Sequence, residues 1–175
     1  MLLILPLPWL AAIFSAAFIH ESCHLICLKL FRIPVYCVHV TAHGAAIRTA
    51  SLSPLPELIC AAAGPVGSFL CLVFARSFPL LALCGFLQGI YNLLPVYPLD
   101  GGRILYAAAN LLFPAHAEQV CMLVSRSSFV IILFACIGLY FKAGSVIFLF
   151  LAVYFLLTAA LCRNIPCKEG RDLVQ

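Results

Sequence analysis

Charged residues are scarce in this sequence: aspartate, glutamate, lysine and arginine make up 9% of its 175 residues, whereas soluble domains carry about 25%. Hydrophobic residues make up 65%, and the mean hydropathy is +1.16. So little charge excludes an ordinary soluble domain. It predicts a single membrane-embedded domain over residues 1–175, in which most side chains face lipid or other helices.

The few charges present are not gathered into a basic cluster. The formal net charge is +4, and the cations are spread over the ends of apolar segments. A nucleic-acid-binding surface needs a concentrated basic patch, so we expect no nucleic-acid partner. Met1–Pro8 also lacks the basic residues and the small-residue cleavage site of a signal peptide. We therefore expect the first apolar segment to remain in the mature protein.

A disulfide or metal-cluster pattern is missing as well, although the chain has ten cysteines. No two of them are spaced as Cys-x-x-Cys, and most lie within apolar segments. Cysteine in such a setting behaves as a small hydrophobic residue. We expect these cysteines to serve packing.

Long apolar segments dominate the chain and predict an all-α polytopic membrane protein. There are five of them: residues 9–31, 57–75, 79–94, 100–113 and 124–162. The last has about 39 residues, whereas one bilayer span needs about 20. It divides at Lys142-Ala143-Gly144, which predicts accessory helices over 124–141 and 144–162, followed by a cytoplasmic tail over 163–175.

The third and fourth apolar segments are short, and prolines separate them. The stretch Leu94–Pro98 cannot continue a helix. Irregular backbone at membrane depth is tolerated where it is buried in protein or lines a polar cavity. We count the pair as one broken span, which gives about five transmembrane segments and a domain core over 9–113.

The segment between the first two apolar runs has a different amino-acid composition. Residues 35–40 and 45–48 are rich in β-formers and surround a glycine at position 44. This pattern predicts a short β-hairpin on or dipping into the membrane.

A group of polar residues interrupts the first apolar segment: His20-Glu21-Ser22-Cys23-His24. Histidines four residues apart lie on one helix face, with their Cβ atoms about 5–6 Å apart. This spacing lets both imidazoles bind one Zn²⁺, while Glu21 can act on a water molecule at the metal. Polar pairing between packed helices is the alternative. Because a carboxylate in hydrocarbon is strongly unfavourable, a functional site is favoured.

A third zinc ligand can be sought among few carboxylates, since a catalytic zinc usually has three protein ligands. The chain has six: Glu21, Glu57, Asp100, Glu118, Glu169 and Asp172. Only Asp100 is expected at the same membrane depth as Glu21, whereas Glu118 is expected in a loop. The glycines after Asp100 let the backbone turn and approach the first helix. Asp100 could instead cap the following helix. A neutral cap would be desolvated more easily, so we favour a ligand.

Basic residues set the expected orientation. With the N-terminus outside, most of them fall on the cytoplasmic side: Lys29, Arg32, Arg48, Arg126, Arg163, Lys168 and Arg171. Only Arg76 and Lys142 then fall outside. This excess predicts a site about 10 Å from the cytoplasmic end of the first helix, opening toward the cytoplasm.

These motifs resemble, in content and order, those of the site-2 protease (M50) family of intramembrane zinc metalloproteases. The resemblance rests on three runs: His20-Glu21-x-x-His24, Ala63-Gly64-Pro65, and Asn92-Leu93-Leu94-Pro95 leading to Leu99-Asp100-Gly101-Gly102. Residues 91–105 are most similar to the stage IV sporulation protein FB branch. The likeness extends over roughly residues 9–113.

The resemblance implies one Zn²⁺ per chain and roles for seven residues: His20, His24 and Asp100 as zinc ligands, Glu21 as catalytic base, and Asn92, Pro95 and Gly101 as substrate-binding residues. Ser68 stands where the family has another polar residue, three positions after its Gly-Pro pair, which predicts a weaker contact there. The nucleotide-binding module that often follows the membrane core is not expected, so the chain should have no ATP-linked control.

The implied function is regulated intramembrane proteolysis in a bacterial cell membrane. The expected substrate is a membrane-tethered regulatory protein, such as a sigma-factor precursor, cut near the cytoplasmic face. Regulatory membrane proteins are the other expected partners. Two other functions remain open: a zinc or proton transporter using the same ligands, and a protease-like adaptor that binds without cutting. A transporter would need further intramembrane acids or histidines along a path, and an adaptor would not need the base.

Overall fold

The computed structural model describes residues 6–41, 44–49, 52–97, 99–143 and residue 153. Over these ranges the chain is mainly helical, as predicted. The elements are α1 (Leu7–Leu30), β1 (Val35–Thr41), β2 (Gly44–Thr49), α2 (Pro54–Leu70), a 3₁₀ helix (Cys71–Phe74), α3 (Pro79–Asn92), α4 (Asp100–Leu112) and α5 (Ala117–Ala143). Three helices have proline at the first or second position, where the missing N–H leaves no helical hydrogen bond unmade.

Three stretches are long and apolar enough to cross a membrane: Leu7–Leu30, Pro54–Phe74 and Ala117–Lys142. α3 has 14 residues and α4 has 13, so each is only about 20 Å long. The predicted break between these two short segments is confirmed, since no helix is present over Leu93–Leu99 in the described part of the loop. The predicted helix over 144–162 and the tail over 163–175 lie outside the described residues, apart from residue 153.

α5 differs from the predicted accessory helix over 124–141 because it begins seven residues earlier, at Ala117. Glu118 therefore lies in the first turn of α5 and not in a loop. Burial explains the early start: Cys121 is fully buried against α4, where its thiol lies 3.9 Å from the Gly102 carbonyl oxygen. The polar residues at the start of α5 lowered its hydropathy and hid this turn from the sequence analysis.

The predicted hairpin is present as two antiparallel strands. Val38 pairs with Ile47, and Thr41 pairs with Gly44 at the turn end. α1 leads into this hairpin through a left-handed residue, Arg32, whose φ is 56°. The Arg32 N–H donates to the Lys29 carbonyl and the Ile33 N–H to the Leu28 carbonyl, both at 3.0 Å. This pair of bonds closes the end of α1 and turns the chain away from its axis.

α2 is the central helix and packs against α1, α3 and α4, while α4 also packs against α5. Apart from the two histidines, the facing surfaces are made mostly of small residues. On α1 the buried positions include Ala12, Ala16, His20 and His24, at intervals of one turn. On α2 the buried positions are Cys60, Ala61, Gly64, Pro65, Gly67 and Ser68. Small side chains let membrane helices approach closely, and the two histidines therefore lie inside the helix packing.

Candidate metal centre

His20 and His24 lie on successive turns of α1, on the face that packs against α2. Both are buried, with 2% and 6% of their surface exposed. Their rings meet edge to face with centroids 4.9 Å apart, and the two Nε2 atoms are 3.2 Å apart. The spacing of four residues thus brings one nitrogen of each ring to the same point.

Asp100 reaches this point from the first turn of α4. Its Oδ2 lies 3.0 Å from Nε2 of His20 and 3.1 Å from Nε2 of His24. The N-cap residue of α4 is Leu99, and Asp100 is the first residue of the helix. Asp100 is therefore not the N-cap of α4, and its carboxylate contacts the two histidines instead.

The other ring nitrogens of the two histidines are held by α2. Nδ1 of His24 lies 2.7 Å from the carbonyl oxygen of Cys60. Because a carbonyl only accepts hydrogen bonds, this Nδ1 carries a proton, and Nε2 of a neutral His24 presents a lone pair. Nδ1 of His20 lies 2.8 Å from Oγ of Ser68, which is fully buried.

These partners leave electron-rich atoms facing one another. With both histidines neutral and protonated at Nδ1, two nitrogen lone pairs and one carboxylate oxygen meet within about 3 Å. Such an arrangement fits a shared cation. Two imidazoles and one carboxylate are also a usual ligand set of catalytic zinc.

The dimensions of the group fit zinc too. Two ligand atoms bound tetrahedrally to Zn²⁺ at about 2.0–2.1 Å are about 3.3–3.4 Å apart. The three separations here are 3.0, 3.1 and 3.2 Å. His20, His24 and Asp100 are the one group of this kind within the described ranges.

Gly64 leaves the space that the histidines occupy. A Cβ atom at this position would collide with the ring of His24 and would lie 2.7 Å from Nε2 of His20. α2 can therefore approach the two rings only because residue 64 has no side chain.

Two further glycines hold the loop before α4 against its first turn. A Cβ on Gly101 would collide with the carbonyls of Leu93 and Leu94. A Cβ on Gly102 would lie 2.6 Å from the backbone nitrogen of Tyr97. These two contacts hold the loop against the first turn of α4, which carries Asp100, and they are the close backbone approach predicted for the two glycines.

The remaining predicted site residues lie around this centre. Glu21 follows His20 on α1 and is half-buried. Asn92 is the last residue of α3, and Pro95 lies in the loop; both are half-buried. Gly101 is buried against that loop, so packing is its visible role. Substrate binding by these last three residues stays a prediction.

Three further residues contact the ligands, and none of them was predicted from the sequence to support a metal ligand. Gly64 contributes space, Ser68 contacts His20, and Arg103 forms an ion pair with Asp100 at 3.5 Å. The motif around Gly64-Pro65, with Ser68 three positions later, could have pointed to Gly64 and Ser68. The structure shows Ser68 in close contact with His20. Arg103 could have been noticed because it is a cation only three positions after Asp100 in an apolar chain.

Comparison with known proteins places this arrangement in a family. The profile of peptidase family M50 matches residues 48–135, about half of the chain. The chain belongs to peptidase family M50. The matched region contains Gly64, Ser68 and Asp100 but begins after His20 and His24. The histidines join the site through the packing of α1 on α2.

The fold of this M50 protein is similar to a solved structure, the site-2 protease from Methanocaldococcus jannaschii. The TM-score is 0.63 at 21% sequence identity, and the alignment covers 86% of this chain and 75% of that chain. At this identity the likeness establishes the fold. A comparison with curated protein sequences gives no match. Family membership and the apolar helices identify the chain as a metalloprotease of the membrane.

Proposed function

We propose that this M50 protein is an intramembrane zinc endopeptidase that cuts membrane-tethered regulatory proteins near the cytoplasmic face. The observation that carries the proposal is the convergence of ligand atoms of His20, His24 and Asp100 within 4.8 Å of one another, with all three residues buried. Glu21 is adjacent to this group on α1. Three metal ligands and a neighbouring carboxylate are the groups that a hydrolytic metalloenzyme uses.

His20, His24 and Asp100 would hold the zinc, with their outer atoms fixed by Ser68, Cys60 and Arg103. When bound, zinc supplies a Lewis acid for a water molecule and for the peptide carbonyl under attack. Glu21 takes the proton of the attacking water and returns it to the leaving amine. Packing of α2 and α4 buries the centre and so limits the access of bulk water to it.

The substrate has to be extended at the scissile bond. A transmembrane helix engages its own carbonyls in hydrogen bonds, so they are not accessible to attack. The loop from Leu93 to Leu99 is the irregular backbone beside Asp100, and Asn92 and Pro95 are its candidate contacts with an unwound segment. Substrates with glycine or proline near the cut would unwind there most easily.

The direction of the cut follows from the basic residues. Lys29 and Arg32 lie at the end of α1 that follows His24, and the helix ends at Leu30, six positions after His24. A cytoplasmic location for this end places the site about 9 Å from the cytoplasmic end of α1. A bacterial sigma-factor precursor is the substrate that the stage IV sporulation protein FB resemblance favours, and regulatory membrane proteins would control access.

Metal binding is the first test of this function. The purified chain should bind one zinc, and His20→Ala, His24→Ala and Asp100→Ala should each remove most of it, because each deletes one ligand. His116→Ala is the matched control, since the side chain of His116 is exposed and its one described hydrogen-bond partner is the side chain of Gln119. Full zinc in Asp100→Ala would contradict the proposed ligand set.

Proteolysis is the second test. Candidate tethered precursors would be co-expressed with the wild type, with Glu21→Gln, and with Glu118→Gln as a control glutamate on α5. Glu21→Gln should keep its zinc but lose cleavage by about 100-fold or more, because no base remains. Processing that continues at the wild-type rate in Glu21→Gln would refute the protease, as a transporter or an adaptor would tolerate this change.

A further inference from the structure

Arg103 contacts the outer oxygen of the Asp100 carboxylate. Its Nη1 lies 3.5 Å from Oδ1, while Oδ2 faces the two histidines. The side chain of Asp100 is 10% exposed and that of Arg103 is 29% exposed. The two oxygens of one carboxylate therefore have different partners: histidines on one side and a guanidinium on the other.

The position of Arg103 in the helix is unfavourable by itself. It is the fourth residue of α4, close to the positive end of the helix macrodipole, where a cation is repelled. A guanidinium in an apolar protein is also poorly solvated. The carboxylate of Asp100 is a partner that compensates both effects.

A carboxylate ligand can bind a metal through one oxygen or through both. Binding through both oxygens would fill the position that a catalytic zinc keeps open for water. Since Arg103 attracts Oδ1, it opposes rotation of the carboxylate toward a second bond to the metal.

We propose that Arg103 is a positioning residue that holds Asp100 to one-oxygen coordination and keeps a coordination position open. The inference rests on the proposed function, because it needs the metal, and it goes beyond it by assigning the coordination number to one side chain. Arg103 acts through Asp100, so its effect should appear in the metal's spectrum and not in activity alone.

The test uses the full chain in detergent, loaded with Co²⁺ in place of zinc, whose visible absorption is intense at four-coordinate sites and weak at higher coordination. Arg103→Gln removes the charge, Arg103→Lys keeps it, and Arg126→Gln makes the same change at an exposed position of α5. The wild type, Arg103→Lys and Arg126→Gln should give the intense spectrum. Arg103→Gln should absorb severalfold less, and its zinc affinity should change by about 10-fold, as is usual for partners of metal ligands.

An intense four-coordinate spectrum in Arg103→Gln would overturn the inference. If Arg103→Gln does not fold, X-ray absorption of the zinc-loaded wild type tests the inference instead. Two Asp100 oxygens at bonding distance from the zinc would refute one-oxygen coordination directly. Failure of the proposed function looks different. A wild type that binds neither metal would remove both proposals, whereas cleavage by Glu21→Gln with the spectral difference intact would remove only the hydrolytic role.

Discussion

At the scale of single residues, the centre depends on the absence of a side chain at Gly64 as well as on its three ligands. The histidines occupy the volume that a side chain at residue 64 would fill. Each histidine is then fixed through its second nitrogen, His24 by a backbone carbonyl and His20 by the Ser68 hydroxyl. The carbonyl cannot be changed by substitution, so Ser68 is the one of these two partners that mutation can address.

Gly64→Ala is therefore expected to remove the metal site while leaving every ligand in the sequence. The added methyl collides with the His24 ring and forces α1 and α2 apart, so zinc affinity should fall by about 100-fold or more. Equilibrium competition with a chelator measures this.

Gly138→Ala is the matched control, because a Cβ at Gly138 has no heavy atom within 4 Å. It makes the same change in a helix interior without steric conflict and should bind zinc as the wild type does. Wild-type affinity in Gly64→Ala would mean that the two helices pack less closely than described.

At the scale of elements, the loop before α4 and the first turn of α4 form one unit. Gly101 and Gly102 are in contact with the loop backbone, and Asp100 precedes them immediately. The position of the third ligand thus depends on backbone packing over Leu93–Tyr97. An aspartate is needed at the start of α4, but the helix start itself is set by the glycines.

Gly101→Ala should displace this unit. Overpacking of this kind costs about 1–3 kcal/mol, so we expect a lower thermal midpoint together with reduced zinc occupancy. Thermal unfolding followed by circular dichroism, with zinc analysis of the same sample, measures both.

A lower midpoint with full zinc occupancy would show that the loop and Asp100 are not coupled. Gly138→Ala serves again as the control for the loss of backbone freedom: it should leave zinc occupancy unchanged and should not lower the thermal midpoint, because alanine without steric conflict in a helix interior stabilises by about 0.4–1 kcal/mol.

Much of the site could be predicted from the sequence because its constraints are local or compositional. His20 and His24 follow from helical spacing alone, and Asp100 follows from the scarcity of carboxylates in the chain. Gly64 and Arg103 could not be assigned in this way, since their roles depend on the distance between helices. The start of α5 was missed for a similar reason: burial of Cys121 against α4 extends the helix where local hydropathy is low.

At the scale of the whole molecule, orientation decides which side of the membrane receives the product. Single reporters in a cysteine-free background should place Arg48 and the segment 163–175 in the cytoplasm, and Lys142 outside. The excess of basic residues on one side is the physical reason. Accessibility to a membrane-impermeant thiol reagent measures each position.

A cytoplasmic location for Lys142 would contradict the span count and the proposed side of the cut together. Labelling results would be used only from variants that still bind zinc, because a misassembled chain would expose its reporter cysteine on the wrong side of the membrane.

The sequence distance between the ligands has a consequence for how the protein is made. His20 and Asp100 are 80 residues apart, on α1 and α4. During synthesis α1 enters the bilayer long before α4 leaves the ribosome, so the triad is incomplete until the fourth helix has been inserted. The nascent enzyme therefore lacks its third ligand while its early helices are being inserted, and activation is delayed until after assembly.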